Sequence, residues 1–171
     1  MASVRPFHVM ALLARARELE AAGRSIIHME IGEPDFVTPQ PVIDAGIRAL
    51  QQGLTHYTPA LGLPALRERI AAFYQSRYGL DIAPQRVIIT PGASTALQLV
   101  LAVLVNPGDT VLMGDPGYPC NRNFVHLFNG RPLGIPVDAN SGYQPTPQQV
   151  ADHAQGRLAA MMLASPANPT G

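Results

Sequence analysis

The first half of the chain repeats apolar residues every three or four positions, as one face of an α-helix does. This spacing occurs within residues 6–22, 38–53 and 58–79, with charged or polar residues between the apolar ones. A glycine ends each pattern, at Gly23, Gly53 and Gly79, where helices commonly stop. The first 79 residues are therefore predicted to be mainly helical.

The hydrophobic pattern changes after Gly79 to short apolar runs at 86–90, 110–114, 132–137 and 158–163. Stretches with helical spacing lie between them, notably STALQLVLAVLV at 94–105. Alternating strands and helices are typical of a mostly parallel sheet covered by helices. The predicted fold class is α/β, with an incomplete mostly parallel sheet and flanking helices, preceded by an N-terminal helical segment.

Composition restricts the classes of function. The 171 residues are 47% hydrophobic, enough for a packed core, and they carry no net charge and no basic block, which disfavours nucleic acid as a partner. The apolar runs are short and the N-terminus lacks a secretion signal, so we expect no membrane attachment and a cytoplasmic protein. The single cysteine, Cys120, permits no internal disulfide.

Candidate chemistry is sought where strands end, because open α/β sheets bind ligands at the carboxyl ends of their strands. The first predicted strand runs into Gly92, Ala93 and Ser94 and then directly into a helix. Small residues at a helix N-terminus let an anion such as phosphate approach the backbone amides. The alternative is an ordinary strand-to-helix turn capped by a hydroxyl.

Two further predicted strand ends carry single polar or aromatic residues. Tyr118 lies in the rigid turn of GDPGYPCN, where its flat ring could stack on a planar heterocycle, or serve only in packing. Asn168, in ASPANPTG, offers both a donor and an acceptor, or is simply a turn asparagine. Together the three strand ends predict a phosphate cradle, an aromatic platform and a polar contact for a ring oxygen.

These motifs identify a resemblance to the N-terminal half of the fold-type I pyridoxal-phosphate-dependent aminotransferases of class I and II. The resemblance extends over about residues 5–171, and the motifs occur in the family's order and at its usual separations. They are IHMEIGEPDF, HYTPALGLPALRERIA, ITPGASTALQLVL, NPGDTVLMGDPGYP and the closing NPTG.

The resemblance implies a role for each matching residue toward pyridoxal 5′-phosphate. Gly92, Ala93 and Ser94 would hold the cofactor phosphate. Tyr118 would stack on the pyridine ring, and Asn168 would bond its phenolic oxygen.

The resemblance also implies a substrate contact and a partner subunit. The backbone of Gly32 would meet the substrate carboxylate, and Tyr57 would reach the cofactor phosphate of the neighbouring subunit in a homodimer. Without the motif, Tyr57 is better interpreted as a core aromatic residue beside His56. Residues 1–38 would be the N-terminal arm and part of the small domain, and residues 39–171 the first part of the cofactor-binding large domain.

No catalytic residue is predicted, because all twelve basic residues are arginines and none is a lysine. Transamination in this family needs a lysine that bonds the cofactor and moves a proton. The five histidines lack metal-ligand spacing and a nucleophile partner, so no metal site or hydrolytic triad is expected. Glu33 and Asp35 are interpreted as solvated or capping groups.

The resulting hypothesis is a truncated aminotransferase. The full-length parent would move an amino group between an amino acid and a 2-oxo acid, and the isolated chain would be inactive. Two alternatives remain: a non-catalytic fragment that binds or dimerises with an intact partner, and a pyridoxal-phosphate-dependent lyase of the same fold.

The truncation has structural consequences. Only the runs at 110–114 and 132–137 are expected to pair directly in the sheet, because the resemblance implies missing strands between the others. Unpaired strand edges and exposed apolar helix faces should follow.

Overall fold

The structure is a computed structural model that describes residues 4, 6–154 and 156–171. Arg5, at the start of the resemblance, lies outside the described residues. The chain divides into two compact units, one formed by Met1–Ile31 with Ser94–Gly171 and the other by Gly32–Ala93.

Six α-helices and three strands form the regular structure of the described residues. In chain order the elements are α1 His8–Ala21, α2 Gln40–Gln51, α3 Pro64–Tyr78, α4 Ala93–Leu104, β1 Thr110–Asp115, α5 Pro119–Leu127, β2 Arg131–Pro136, α6 Pro147–His153 and β3 Leu158–Met162. The predicted α/β class is confirmed, and the three helices expected before Gly79 are α1, α2 and α3.

The sheet is parallel, with strand order β2-β1-β3. Thr110 pairs with Arg131 on one side and with Leu158 on the other. The predicted pairing of 110–114 with 132–137 is confirmed, but the prediction that 158–163 pairs elsewhere is wrong. The buried part of β1, from Thr110 to Met113, has a partner strand on each edge, so the sheet supplies hydrogen-bond partners where water does not reach.

The strand predicted at 86–90 is absent from the described residues. Pro84–Arg86 form a short 3₁₀ turn, and the backbone after it makes no strand ladder. Arg67 Nε donates instead to the carbonyl oxygens of Pro84 and Val87, at 3.1 and 2.9 Å. An apolar run forms a strand only beside another strand, and here Val87 O accepts from Arg67 and Ile89 N donates to Leu61 O instead of to a neighbouring strand.

The core of the sheet-bearing unit lies against one face of β1. Val111 and Met113 pack there with Leu101 and Val105 of the α4 region and with Val125 of α5. All five are buried, and Val111 and Val125 have no exposed surface. This packing fixes α4 and α5 against the strand whose carboxyl end carries the candidate site.

Two short helices, α5 and α6, were not predicted from the sequence. Thr146 caps α6 by accepting from the Gln149 backbone N–H, while the Gln149 side chain accepts from the Thr146 backbone. This reciprocal pair is a capping box, and its Thr-x-x-Gln signature was readable at 146–149. In α5 the signal was Pro119 at the first helical position.

The expected exposure of apolar helix faces is confirmed on α4. Leu99, Val100 and Leu104 are about half exposed and Val103 is 84% exposed. Within the described residues, no helix is both long and apolar enough to cross a membrane.

The buried carboxylate of Asp109 joins the beginnings of all three strands. Its Oδ2 accepts from the Asn106 backbone N–H at 2.8 Å, and its Oδ1 forms an ion pair with Arg157 Nε at 2.7 Å. The Asp109 carbonyl accepts from Arg131 N, and the Arg157 carbonyl accepts from Thr110 N, both at 2.8 Å. These hydrogen bonds, chiefly that from the Asn106 backbone, hold the pKa of Asp109 below its usual value.

We therefore expect Asp109→Ala in the full-length protein to lower the free energy of unfolding by about 3 kcal/mol, because it leaves the Asn106 amide unpaired. Chemical denaturation measures this loss. Asp81→Ala, which removes an exposed aspartate, is the control and should change the value by less than about 0.5 kcal/mol. Equal effects of the two substitutions would contradict the role given to Asp109.

His28 joins the end of α1 to the segment that follows it. Its Nδ1 lies 2.6 Å from Glu30 Oε1, and its Nε2 lies 3.0 Å from Glu20 Oε1. These hydrogen bonds, first that with Glu30, raise the pKa of His28 above 6.5. The same contact lowers the pKa of Glu30 below 4.5.

This contact predicts a pH-dependent stability. Because the folded pKa of His28 is raised, its stabilising contribution is complete below pH 6.5 and is lost as pH rises through the folded pKa. The melting-temperature difference between wild type and His28→Gln should therefore shrink as pH increases above 6.5. His8→Gln on the same helix serves as the control. A difference that stays constant with pH would refute the assignment.

Candidate ligand site at the strand ends

The turn after β1 carries Tyr118 to the edge of the sheet. Gly117 is required there, because a Cβ atom at this position would lie 2.7 Å from the Gly114 carbonyl oxygen. Tyr118 then forms the N-cap of α5, with Pro119 as the first helical residue. The turn therefore fixes the backbone that presents the Tyr118 ring, which is half-buried.

A small pocket of about 50 Å³ opens beside this turn, at the carboxyl ends of β1 and β3. Tyr118 and Asn168, predicted from separate motifs, both line it. Its remaining walls come from the ends of the two strands, the first turn of α5 and the loop at 143–145. The strand order explains this meeting, because β1 and β3 are neighbours and end at the same edge.

Ser94 also lies close to Tyr118. The Cys120 thiol beside the Tyr118 hydroxyl, together with burial, raises the pKa of Tyr118 above its ordinary value, and the nearby Ser94 side chain opposes this effect. The ring of Phe7 packs edge-on against Tyr118, with centroids 6.0 Å apart and planes at 77°. Tyr118 is thus held by its hydroxyl and by its ring.

The residues before Ser94 leave space for a ligand. Gly92 has a φ of +87°, and a Cβ atom there would have no neighbour within 4 Å. Ala93 begins α4, and Gly92, Ala93 and Ser94 are all exposed. Since the first backbone N–H groups of a helix have no partner inside it, this exposed turn is suited to an anion.

Gly32 and Tyr57 belong to the other compact unit, Gly32–Ala93. Gly32 is exposed, with no atom within 4 Å of a built Cβ. Tyr57 is fully exposed, so the alternative that it is a core aromatic residue is wrong. Its exposure leaves it accessible to a partner.

An ion pair lies at the rim of the pocket. Arg122, which lines the pocket, donates from Nη2 to Asp115 Oδ2 at 2.7 Å. Gly134 on β2 makes room for it, because a Cβ there would lie 2.7 Å from the Arg122 Nη2 atom. The positive charge at this rim is therefore matched by a carboxylate.

Sequence reasoning missed Arg122 and Asn121, which both line the pocket. They lie in the first turn of α5, a helix that was not predicted. Pro119 was the available signal, because proline favours the first position of a helix. A helix that begins there keeps the residues of its first turn close to Tyr118.

Comparisons with known proteins identify the family of this chain. A family model described as aminotransferase class I and II matches residues 24–171. An aspartate aminotransferase from Geobacillus stearothermophilus is 39% identical over 171 residues, which is 100% of this chain and 44% of the relative. A (5-formylfuran-3-yl)methyl phosphate transaminase from Methanocaldococcus jannaschii is 39% identical over 165 residues, covering 96% of this chain and 42% of the relative.

A solved structure shares the fold as well as the sequence. The crystal structure of an aminotransferase from Mycobacterium tuberculosis superposes with a TM-score of 0.92 at 37% identity, covering 98% of this chain and 43% of that one. The chain thus spans less than half the length of the relatives it matches. The family match over most of its residues and the shared fold show that the chain belongs to the class I and II aminotransferases.

Proposed function

We propose that the full-length protein is a pyridoxal-phosphate-dependent aminotransferase and that this chain supplies part of its cofactor site. The observation that carries the proposal is the meeting of Ser94, Tyr118 and Asn168 at one edge of the sheet. Family membership then gives the chemical class, an amino group moved between an amino acid and a 2-oxo acid.

The residues present fit the phosphate of this cofactor. Gly92 leaves open space at a positive φ, and Ala93 and Ser94, both exposed, begin a helix. We assign phosphate binding to these three residues, since backbone N–H groups and a hydroxyl suit a dianion.

The residues present also fit the ring. Tyr118 offers an aromatic face whose orientation is fixed by contacts on its hydroxyl and its edge. Asn168 is exposed on the same pocket, where its amide would bond the phenolic oxygen. The cofactor, when bound, supplies the electron sink for chemistry at the substrate α-carbon.

These residues would bind and orient the cofactor but would not react with it. None of the 171 residues is a lysine, so the amine that bonds the cofactor and moves the proton comes from residues outside them, in the same polypeptide or in a partner subunit. The absent lysine also favours a second candidate, a non-catalytic subunit that binds the cofactor or an intact partner.

The substrates are proposed by class alone. We assign binding of the substrate carboxylate to the Gly32 backbone. We also propose that the protein is a cytoplasmic homodimer, in which the exposed Tyr57 reaches the cofactor phosphate of the partner subunit. Relatives of equal identity are named for aspartate and for a formylfuran phosphate, so similarity to them favours no single amino donor.

Activity of the full-length protein tests the main proposal. With pyridoxal 5′-phosphate, a panel of amino acids and 2-oxoglutarate, we expect a new amino acid and a new 2-oxo acid in equal amounts, measured by chromatography. Elimination or decarboxylation products would instead indicate a lyase. Cofactor binding without turnover of any amino acid would favour the non-catalytic subunit.

Cofactor affinity, measured without turnover, tests the role of Tyr118 in the proposed site. We expect Tyr118→Ala to weaken pyridoxal 5′-phosphate binding to the full-length protein about tenfold, because stacking is lost, as measured by fluorescence titration. Tyr118→Phe keeps the ring and should remain within about threefold of wild type. Tyr78→Ala, on exposed α3 surface, is the control. Equal affinities for all four proteins would exclude Tyr118 as the platform.

A further inference from the structure

The loop between β2 and α6 is bonded to the loop after β3 at the candidate site. The Gln144 side chain donates from Nε2 to the Ala164 carbonyl oxygen at 2.8 Å. Both residues line the pocket, together with Asn168. Because a carbonyl oxygen only accepts, the Gln144 amide presents its nitrogen to Ala164, which fixes the direction of the side chain. A side chain from one loop thus holds the loop that carries Asn168.

The backbone around Gln144 is itself held in place. Tyr143 has a φ of +54°, a left-handed conformation that a bulky residue keeps only where its surroundings determine it, and its N–H donates to the Asp138 carbonyl at 2.8 Å. The following helix, α6, is attached to the end of β2, because Gln149 Nε2 donates to the Pro136 carbonyl at 3.0 Å. Gln144 therefore extends from a backbone that is bonded to the sheet.

The bond to Ala164 also restricts Asn168. Only three residues separate the two, and the stretch contains Pro166 and is followed by Pro169. A proline ring fixes its own φ, so a segment with two prolines has few ways to bend. The position of the Ala164 backbone therefore restricts where Asn168 places its side chain.

We infer that Gln144 is a positioning residue for cofactor recognition, which holds the Ala164 carbonyl and thereby places the Asn168 amide against the phenolic oxygen of the ring. The inference rests on the proposed function, in which Asn168 bonds that oxygen. Hydrogen bonds weaken steeply as their distance and angle depart from the optimum. Loss of the Gln144 contact should therefore weaken the bond to the phenolic oxygen and leave the phosphate and stacking contacts intact.

Two ligands that differ in one oxygen test this assignment. Pyridoxamine 5′-phosphate carries the phenolic oxygen and its 3-deoxy analogue lacks it, and both have an amine in place of the aldehyde, so neither bonds covalently to a lysine. Each is titrated by calorimetry into the cofactor-free full-length protein. The variants are Gln144→Ala, Gln144→Glu, Asn168→Ala and the double variant of Gln144→Ala with Asn168→Ala.

Gln148→Ala is the matched control. Gln148 also donates from its side chain, to Asp152 at 2.8 Å, but it is exposed on α6 and does not line the pocket. It should stay within about twofold of wild type for both ligands. The melting temperature of each ligand-free variant shows that it is folded.

We expect Gln144→Ala to weaken pyridoxamine 5′-phosphate about fivefold and the deoxy analogue by less than about twofold, because only the first ligand offers Asn168 a partner. Gln144→Glu keeps the size of the side chain but has no donor, so it should weaken pyridoxamine 5′-phosphate at least as much. In the Asn168→Ala background, Gln144→Ala should change neither affinity by more than about twofold.

Three results would overturn the inference. Equal weakening of both ligands by Gln144→Ala would indicate a structural role alone. An affinity loss that adds in full to that of Asn168→Ala would indicate that Gln144 contacts the ligand directly. Unchanged affinity in both Gln144 variants would show that Asn168 is placed without it.

Failure of the proposed function gives a different pattern. If wild type binds neither ligand, or if Asn168→Ala binds both as wild type does, the proposed cofactor site is refuted, and the inference with it. If Asn168→Ala is weakened only for the phenolic ligand and the Gln144 variants are unaffected, the proposed site stands and the role of Gln144 alone is refuted.

Discussion

Hydrogen bonding of β1 on both of its edges is the constraint on which the rest of this structure depends. The strand is buried from Thr110 to Met113, where an unpaired amide or carbonyl would be costly. Pairing with β2 and β3 removes that cost and brings the carboxyl ends of the three strands to one edge. The turn carrying Tyr118 and the loop carrying Asn168 meet there for this reason.

The fold class was predictable because the spacing of apolar residues along the chain reflects which side of each helix or strand is buried. The apolar runs at 110–114, 132–137 and 158–163 became strands, and the helical spacing at 94–105 became α4. The run at 86–90 did not form a ladder, because a ladder requires a neighbouring strand; the Val87 carbonyl accepts from Arg67 instead. Pairing of β1 with β3 was also missed, since a sequence pattern does not state which edges meet.

The candidate site was partly predictable for a different reason. Tyr118 and Asn168 stand in turns rich in proline and glycine, which sequence marks clearly, and the structure places both on one pocket. Asn121 and Arg122 lie on α5, whose mixed polar sequence gives little periodicity. What distinguishes them is their surroundings: Asn121 Oδ1 has no hydrogen-bond partner within the described residues, and the Arg122 guanidinium is paired with Asp115. Such properties exist only after folding.

The sheet order also has a consequence for synthesis of the protein. The β2 partner of β1 follows it closely along the chain, separated by α5, whereas β3 follows only after β2 and α6. As the polypeptide leaves the ribosome, one edge of a strongly apolar strand remains open until residue 158 has emerged. During that interval the nascent chain presents a template for association with other chains, so the speed of translation through residues 137–158 influences how much of the protein reaches its native state.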